Sequence, residues 1–186
     1  MSSSATGVGM TICFLGAILL ILTQKSSQKF GDVLGIMVSE SECGNGSMDW
    51  KAGEHTFFLL SDNLGNGCDE YYNWNFILKD NGISPWGWTQ NALIQVDGKT
   101  RKMRYTAEYY AYKHFSHFVQ KGTEMLAYAG REYSKTPVVV FKDKKGQYIV
   151  TVGNFTDELA SLSVKIGKKY LNVKAKPHSF NTYIWK

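Results

Sequence analysis

The sequence predicts an α/β unit followed by an all-β unit, and three observations carry that expectation. Residues 34–119 run in the order strand, loop, helix, strand, loop, helix, which implies parallel strands. From about Met125 the texture changes to short β-branched strands separated by turn residues, the spacing of an antiparallel sandwich. The 186 residues, 44% hydrophobic and 14% aromatic, suffice for one or two modest cores but fall short of a complete (β/α)8 barrel, which takes about 250.

The first segment is apolar. Residues 8–22, VGMTICFLGAILLIL, carry no charge. They reach about the upper length of a signal-peptide core and fall short of the roughly 20 residues that span a bilayer comfortably. No Lys or Arg precedes them and no small-x-small cleavage site stands out, so ordinary secretory cleavage is not expected. A signal peptide, a short anchor and a buried helix all remain open for residues 1–28.

LGIMVS, residues 34–39, reads as a strand, stopped by the turn signal Gly44-Asn45-Gly46. A near-continuous apolar run suits a strand covered on both faces, and in such sheets the carboxyl ends carry the chemistry. Glu40 and Glu42 sit at that end, although two exposed acids opening a loop would read the same way. Retaining glycoside hydrolysis uses two carboxylates about 5–5.5 Å apart that flank the scissile bond. Residues two apart on a strand are about 6.6 Å apart and point the same way. Glu40 and Glu42 would approach a sugar from one side, so at most one of them is catalytic.

Asp49–Leu64 reads as a helix with Trp50, Phe57, Phe58, Leu59 and Leu60 as its apolar positions, stopped by Gly65-Asn66-Gly67. YYNWNFIL, residues 71–78, reads as a second strand, rich in aromatic and branched residues. The segment 82–93, GISPWGWTQNAL, is dense in Gly, Pro and Trp and reads as irregular. Thr106–Val119 reads as a second helix. Strands follow in MLAYAGREY, TPVVVFKDKKGQYIVTVGNF, ELASLSVKIGKKYLNVKA and HSFNTYIW, with a hairpin turn at Lys144-Lys145-Gly146. The change of texture places a domain boundary near Lys121-Gly122.

Charge is uneven along the chain. Residues 1–130 hold 10 Lys/Arg against 12 Asp/Glu, and residues 131–186 hold 11 against 4. The basic second part would suit an anionic lipid surface, and equally the solvation of turns and strand faces by Lys142, Lys144, Lys145, Lys168 and Lys169. Three cysteines at irregular spacing, Cys13, Cys43 and Cys68, form neither a disulfide framework nor a zinc pattern. His114 and His117 lack the rest of a ligand set, and packing beside Phe115 and Phe118 accounts for them. Asn45-Gly46-Ser47 and Asn154-Phe155-Thr156 match the glycosylation sequon, a pattern that arises often by chance.

Five segments, SESECGNG with the helix after it, YNWNFIL, SPWGWTQNALI, EYYAYKHFSHFVQKGTEML and HSFNTYIW, resemble the C-terminal part of family-30 glycoside hydrolases, the family of the glucosylceramidases and their microbial relatives. The resemblance runs from about Lys29 to Lys186 in the family's order and spacing; residues 1–25 do not match it. It implies the last two βα units of a (β/α)8 TIM barrel in residues 29–121, followed by an antiparallel β-sandwich in residues 122–186, with 1–28 set apart as the apolar segment. It also implies retaining hydrolysis of β-glucosides such as glucosylceramide, although relatives that cleave xylan and 1,6-glucan exist.

In the family the nucleophile stands in a Thr/Ser-Glu dipeptide after strand seven, here Ser39-Glu40, so the resemblance makes Glu40 the nucleophile and Glu42 a loop acid. Trp74 matches a tryptophan of the sugar pocket, where indole stacks on an apolar sugar face. Asn75, Trp86, Trp88 and Asn91 fall where strand eight and its loop meet that pocket. The family's acid/base lies in an Asn-Glu motif after strand four, and this sequence contains no Asn-Glu dipeptide. On this reading the chain corresponds to the last third of an enzyme and is inactive by itself.

The resemblance implies no metal, no organic cofactor and no nucleic-acid partner. It leaves a lipid membrane surface as a partner and a secreted, lysosomal or membrane-associated location. The alternatives are a non-catalytic protein that binds carbohydrate or lipid surfaces, and a small anchored structural protein. An upstream reading frame carrying an Asn-Glu after a strand would separate the enzyme from both.

Overall fold

The computed structural model describes residues 14–15, 18–27, 31–129, 134–166 and 168–186. Along them, β1 (Phe14–Leu15), β2 (Ile18–Ser27) and β3 (Gly31–Val38) form an antiparallel meander, with Leu20 opposite Val38 and Ser27 opposite Gly31. Of the apolar run 8–22, residues 14–15 and 18–22 are thus extended, two aliphatic strands pairing where a helix was one expectation; residues 8–13, 16 and 17 lie outside the described residues. On its other edge β3 pairs in parallel with β4 (Cys68–Tyr71) through the crossover helix α1 (Trp50–Gly65). This is the βαβ unit that the sequence pattern implied. Asp49 caps α1 by accepting the Ala52 amide at 2.9 Å. The helix stops at Asn66, whose amide returns to Asp62 O, and Gly67 follows with φ +90°.

The expected strand 71–78 is broken in the middle. Beyond Tyr71, the Tyr72 amide still donates to Val38 O at 3.0 Å, but Asn73 then turns its side-chain amide onto Asn75 O at 2.7 Å. A short amide side chain thus offers the backbone an alternative to the ladder, against the β-propensity of the aromatic neighbours. Pairing resumes in β5 (Ile77–Lys79), parallel to β6 (Ile94–Val96), which is antiparallel to β7 (Met103–Tyr105). That small sheet was not expected from the sequence. Helix α2 (Ala107–Ser116) is capped by Thr106, and its last turn continues through Phe118 and Val119 amides that both return to Phe115 O. The helices cross closely at Gly53, where a Cβ would come within 2.5 Å of Ala107 Cβ.

From residue 124 every strand pairing among the described residues is antiparallel. β8 (Glu124–Ala129), β9 (Val138–Lys142) and β10 (Tyr148–Asn154) precede the hairpin β11 (Ala160–Ile166) and β12 (Lys169–Ala175), and β13 (Ser179–Trp185) closes the chain. The main sheet has the order β13-β10-β9-β8. Its central turn is the expected one, with Gly146 at φ +80° donating to Asp143 O.

Alternation along β9 and β10 explains why VVVF is buried throughout. Val139, Phe141 and Ile149 pack with Phe57 and Leu60 of α1 and Ala111 and Phe115 of α2. Val138, Val140, Val150 and Val152 pack with Val173 and Ala175 of the hairpin. The sheet is therefore a middle layer, with helices on one face and a β-ribbon on the other. Each buried Val, Leu, Ile or Phe among them stabilises the fold by about 1.5–3 kcal/mol relative to exposure.

Asn154 is fully buried, and its side-chain amide donates to Glu158 O, Ala175 O and Lys176 O at 2.7–3.1 Å. That sequon is occupied by structure in the folded chain. His114 is held between α2 and β13 by Thr182 Oγ1 at 2.9 Å, and burial lowers its proton affinity. His117 lies edge-on to Phe118. Cys43 and Cys68 are free thiols, and burial pushes the Cys68 thiol up. No helix among the described residues is long and apolar enough to cross a membrane.

Candidate active site

The carboxyl ends of β3 and β4 remain together beyond the ladder. Tyr72 donates to Val38 O, and the Ser41 amide donates to Tyr72 O at 2.9 Å. Ser41 is buried, and its hydroxyl donates to Asn73 Oδ1 at 3.0 Å while accepting the Trp74 amide at 3.2 Å. Glu40, half-buried, is thereby tied through its neighbour to the backbone of Trp74, which is 39% exposed. Glu42 faces α1. It is exposed and meets His55 Nε2 of α1 at 2.8 Å, a surface pair of small energetic weight.

The loop after Glu42 is held by Asn91. Its Oδ1 accepts the Gly46 amide at 2.7 Å and the Met48 amide at 3.4 Å, and its backbone N–H donates to Cys43 O at 2.7 Å. Gly44 and Gly46, at φ +67° and +82°, pass so close to Asn91 and Thr89 that a Cβ on either would come within 2.5 Å of those side chains. Only glycine meets both demands, which accounts for the Gly-Asn-Gly triplet. Asn75 donates to Asn91 O at 3.0 Å and to Gln90 Oε1 at 3.3 Å. Asn75 and Asn91 therefore use these polar groups to hold loops.

Trp86 and Trp88 stand on a tight turn in which the Ser84 amide donates to Trp88 O at 2.8 Å and the Gly87 amide to Ser84 O at 3.0 Å. They are 77% and 56% exposed, with ring centroids 5.8 Å apart. Thr89 Oγ1 donates to Asn45 O at 2.6 Å, which ties this turn to the loop after Glu42.

Behind these loops lies an acid that sequence reasoning missed. Glu108, in the first turn of α2, is buried and accepts Thr56 Oγ1 of α1 at 3.0 Å, while its Oε2 has no hydrogen-bond partner among the described residues. Burial raises the carboxyl to about 7, against the opposing pull of the Thr56 and Asn91 side chains. Ser41 and Asn73 were missed as well. Ser41 carries only a weak signal, a serine between two glutamates, whereas nothing local distinguishes Glu108 from an ordinary surface acid at a helix start. A cavity of 580 Å³ opens nearby, lined in part by Tyr71, Tyr72, Phe76, Leu93, Tyr109 and Tyr112. Neither Glu40 nor Trp74 lines it.

Chemically, the strand ends offer a half-buried carboxylate, Glu40, on a segment hydrogen-bonded to the backbone of Trp74, with an exposed indole pair on a neighbouring turn. A carboxylate so placed can act as a nucleophile or as an acceptor for sugar hydroxyls.

No family model matches the sequence, and no curated protein matches it. Solved structures do resemble the chain. SrfJ from Salmonella typhimurium is 22% identical over 81% of this chain and 34% of that one, with a TM-score of 0.69. An endo-β-1,6-glucanase is 18% identical over 78% of this chain and 34% of that one, with a TM-score of 0.67. The catalytic domain of a family-30 xylanase C from Talaromyces cellulolyticus is 15% identical over 68% and 29%, with a TM-score of 0.54. The chain spans about a third of the length of these structures. The mixed sheets and helices of the described residues thus have a fold like that of the C-terminal part of family-30 glycoside hydrolase structures.

Proposed function

We propose that this chain is the C-terminal portion of a retaining β-glycosidase of glucosylceramidase type, with Glu40 as its nucleophile. The observation that carries the reading is the Ser41 hydroxyl, which joins the Glu40 segment to Asn73 and Trp74 at the carboxyl ends of two parallel strands. In this reading β3 and β4 are the last two strands of a (β/α)8 barrel within residues 29–121, whose sixth strand would take the edge of β3 that antiparallel β2 occupies here, and residues 122–186 are its side sandwich. The Glu40 carboxylate attacks the anomeric carbon and the aglycone leaves with a proton from a general acid, a glutamate supplied from outside this portion. Water then releases the sugar from the glycosyl-enzyme. Trp74 stacks on the glucose ring, Asn75 and Asn91 shape the loops around it, and Trp86 and Trp88 contact the aglycone side. A β-glucoside such as glucosylceramide is the substrate, and a secreted, lysosomal or membrane-associated location follows from it.

Hydrolysis of an aryl β-glucoside and of glucosylceramide tests the proposal. Protein from the full reading frame turns both over, and Glu40→Gln abolishes turnover while the protein stays folded. The 186-residue chain alone shows none, because general acid help worth about 10²–10⁴-fold is missing. Full turnover in Glu40→Gln would sink the reading.

A second reading is favoured by the exposure of Trp86 and Trp88: a carbohydrate-binding protein without catalysis. Sugar-induced quenching of tryptophan fluorescence in a full-frame protein that hydrolyses nothing would select it.

A further inference from the structure

Outside the candidate site, one histidine has both ring nitrogens engaged by carboxylates. His178, in the turn between β12 and β13, places Nδ1 2.7 Å from Glu54 Oε1 of α1 and Nε2 2.9 Å from Asp157 Oδ1 of the loop after β10. A ring nitrogen facing a carboxylate oxygen at these distances must carry a proton, so the two contacts together require the imidazolium. We propose that His178, Glu54 and Asp157 form a proton-operated clamp that fastens helix α1 to both loops at this end of the sandwich, closed while the imidazole is doubly protonated and half-open once it is neutral. The inference is independent of the glycosidase reading.

Three features show that the clamp is built in. Trp50, Glu54 and Phe57 follow one another at four- and three-residue steps on a single face of α1. The two aromatics of that stripe stack on Phe180, at centroid distances of 4.8 and 4.9 Å, and so bring the turn two residues earlier against Glu54. His178 also holds φ at +48°, a left-handed conformation that costs a side-chain-bearing residue energy and persists where the surroundings fix it.

The two carboxylates are unequal, and this gives the clamp a direction. The Glu54 side chain is 12% exposed and the Asp157 side chain 98%. When the ring loses one proton, one nitrogen presents a lone pair to a carboxylate. A buried Glu54 without a donor is the costlier outcome. The proton therefore stays on Nδ1 with Glu54, and Asp157 lets go. Other ionisable groups on the surrounding elements are Lys51 and His55 on α1, Glu158 beside Asp157, and Lys176 in the turn itself; none of them is in contact with the ring among the described residues. Asp157 first, then Glu54, hold the imidazole above its ordinary range. Because the folded state raises this proton affinity, the clamp contributes fully below the ordinary histidine range of about 6.5 and is lost as pH rises through the folded value.

Nitrogen-15 NMR titration of the His178 ring, in the chain and in Asp157→Asn and Glu54→Gln, tests the clamp. A midpoint above about 6.5 is expected in the native chain. Asp157→Asn should weaken proton affinity by up to about fivefold, as an exposed ion pair allows, and Glu54→Gln should weaken it as well. The neutral ring should be the Nδ1–H tautomer. If Glu54→Gln does not fold, the tautomer and the Asp157→Asn shift decide the matter. A native midpoint at the ordinary value that Asp157→Asn leaves unmoved, or a neutral ring protonated at Nε2, overturns the proposal.

Discussion

Glu108→Gln should make the folded chain more stable in mild alkali, not less. Burial lifts this carboxyl from 4.5 to about 7. A tenfold change in proton affinity is worth about 1.4 kcal/mol, so the folded state favours the protonated acid by about 3 kcal/mol relative to the unfolded chain. Below about pH 4.5 both states are protonated and nothing is lost. Through the window from 4.5 to about 7 the unfolded chain ionises first, and stability falls as pH rises. Above it the folded protein carries a buried ion whose Oε2 has no hydrogen-bond partner among the described residues. Glutamine keeps the Thr56 hydrogen bond, places a neutral group at Oε2 and cannot ionise. Urea unfolding followed by tryptophan fluorescence at pH 5 and pH 8 gives the comparison. The variant should gain on the native chain by about 2–3 kcal/mol at pH 8 relative to pH 5, with an unchanged m-value. His178 adds pH dependence of the same sign to both proteins and cancels in the difference. An equal loss in the variant at both pH values would refute the burial argument.

Three further outcomes follow from packing and hydrogen bonding. Gly53→Ala gains about 1 kcal/mol of helix propensity but drives a methyl into Ala107, so a net loss of about 1–2 kcal/mol in urea melts is expected. Ser41→Ala strips a buried acceptor from the Trp74 amide and a donor from Asn73, costing about 1–3 kcal/mol, and Ser41→Thr should recover part of it in the same melts. Asn91→Ala leaves the Gly46 and Met48 amides without their acceptor, which hydrogen exchange should register as faster exchange at those two positions with α2 protection intact.

How far the sequence was readable depended on whether the deciding signal was local. Asp49 and Thr106 cap the two helices, and Gly146 turns the β9–β10 hairpin; each acts through its own neighbours, so the pattern suffices. The strand expected over 71–78 failed because the aromatic and branched residues outweighed one amide, Asn73, whose bond to Asn75 O breaks the ladder. β5, β6 and β7 are three residues each, too short for alternation to show. The apolar run before Thr23 carries no polar alternation, so nothing local marked residues 18–22 as a strand, and only the partner β3 decides it. The position of Glu40 at a strand end was legible. Its tie to Trp74 was not, because the hydrogen bonds of Ser41 span 32 and 33 residues. Asn154 read as part of a sequon and nothing local set Glu108 apart, because only tertiary packing buries them.

The most direct test of the account is covalent labelling of the nucleophile. Protein from the full reading frame, inactivated with a 2-deoxy-2-fluoro-β-glucoside and digested, should yield a single glycosylated peptide carrying the label on Glu40. Label on Glu42, or an active enzyme that acquires no label at all, would contradict the assignment of Glu40.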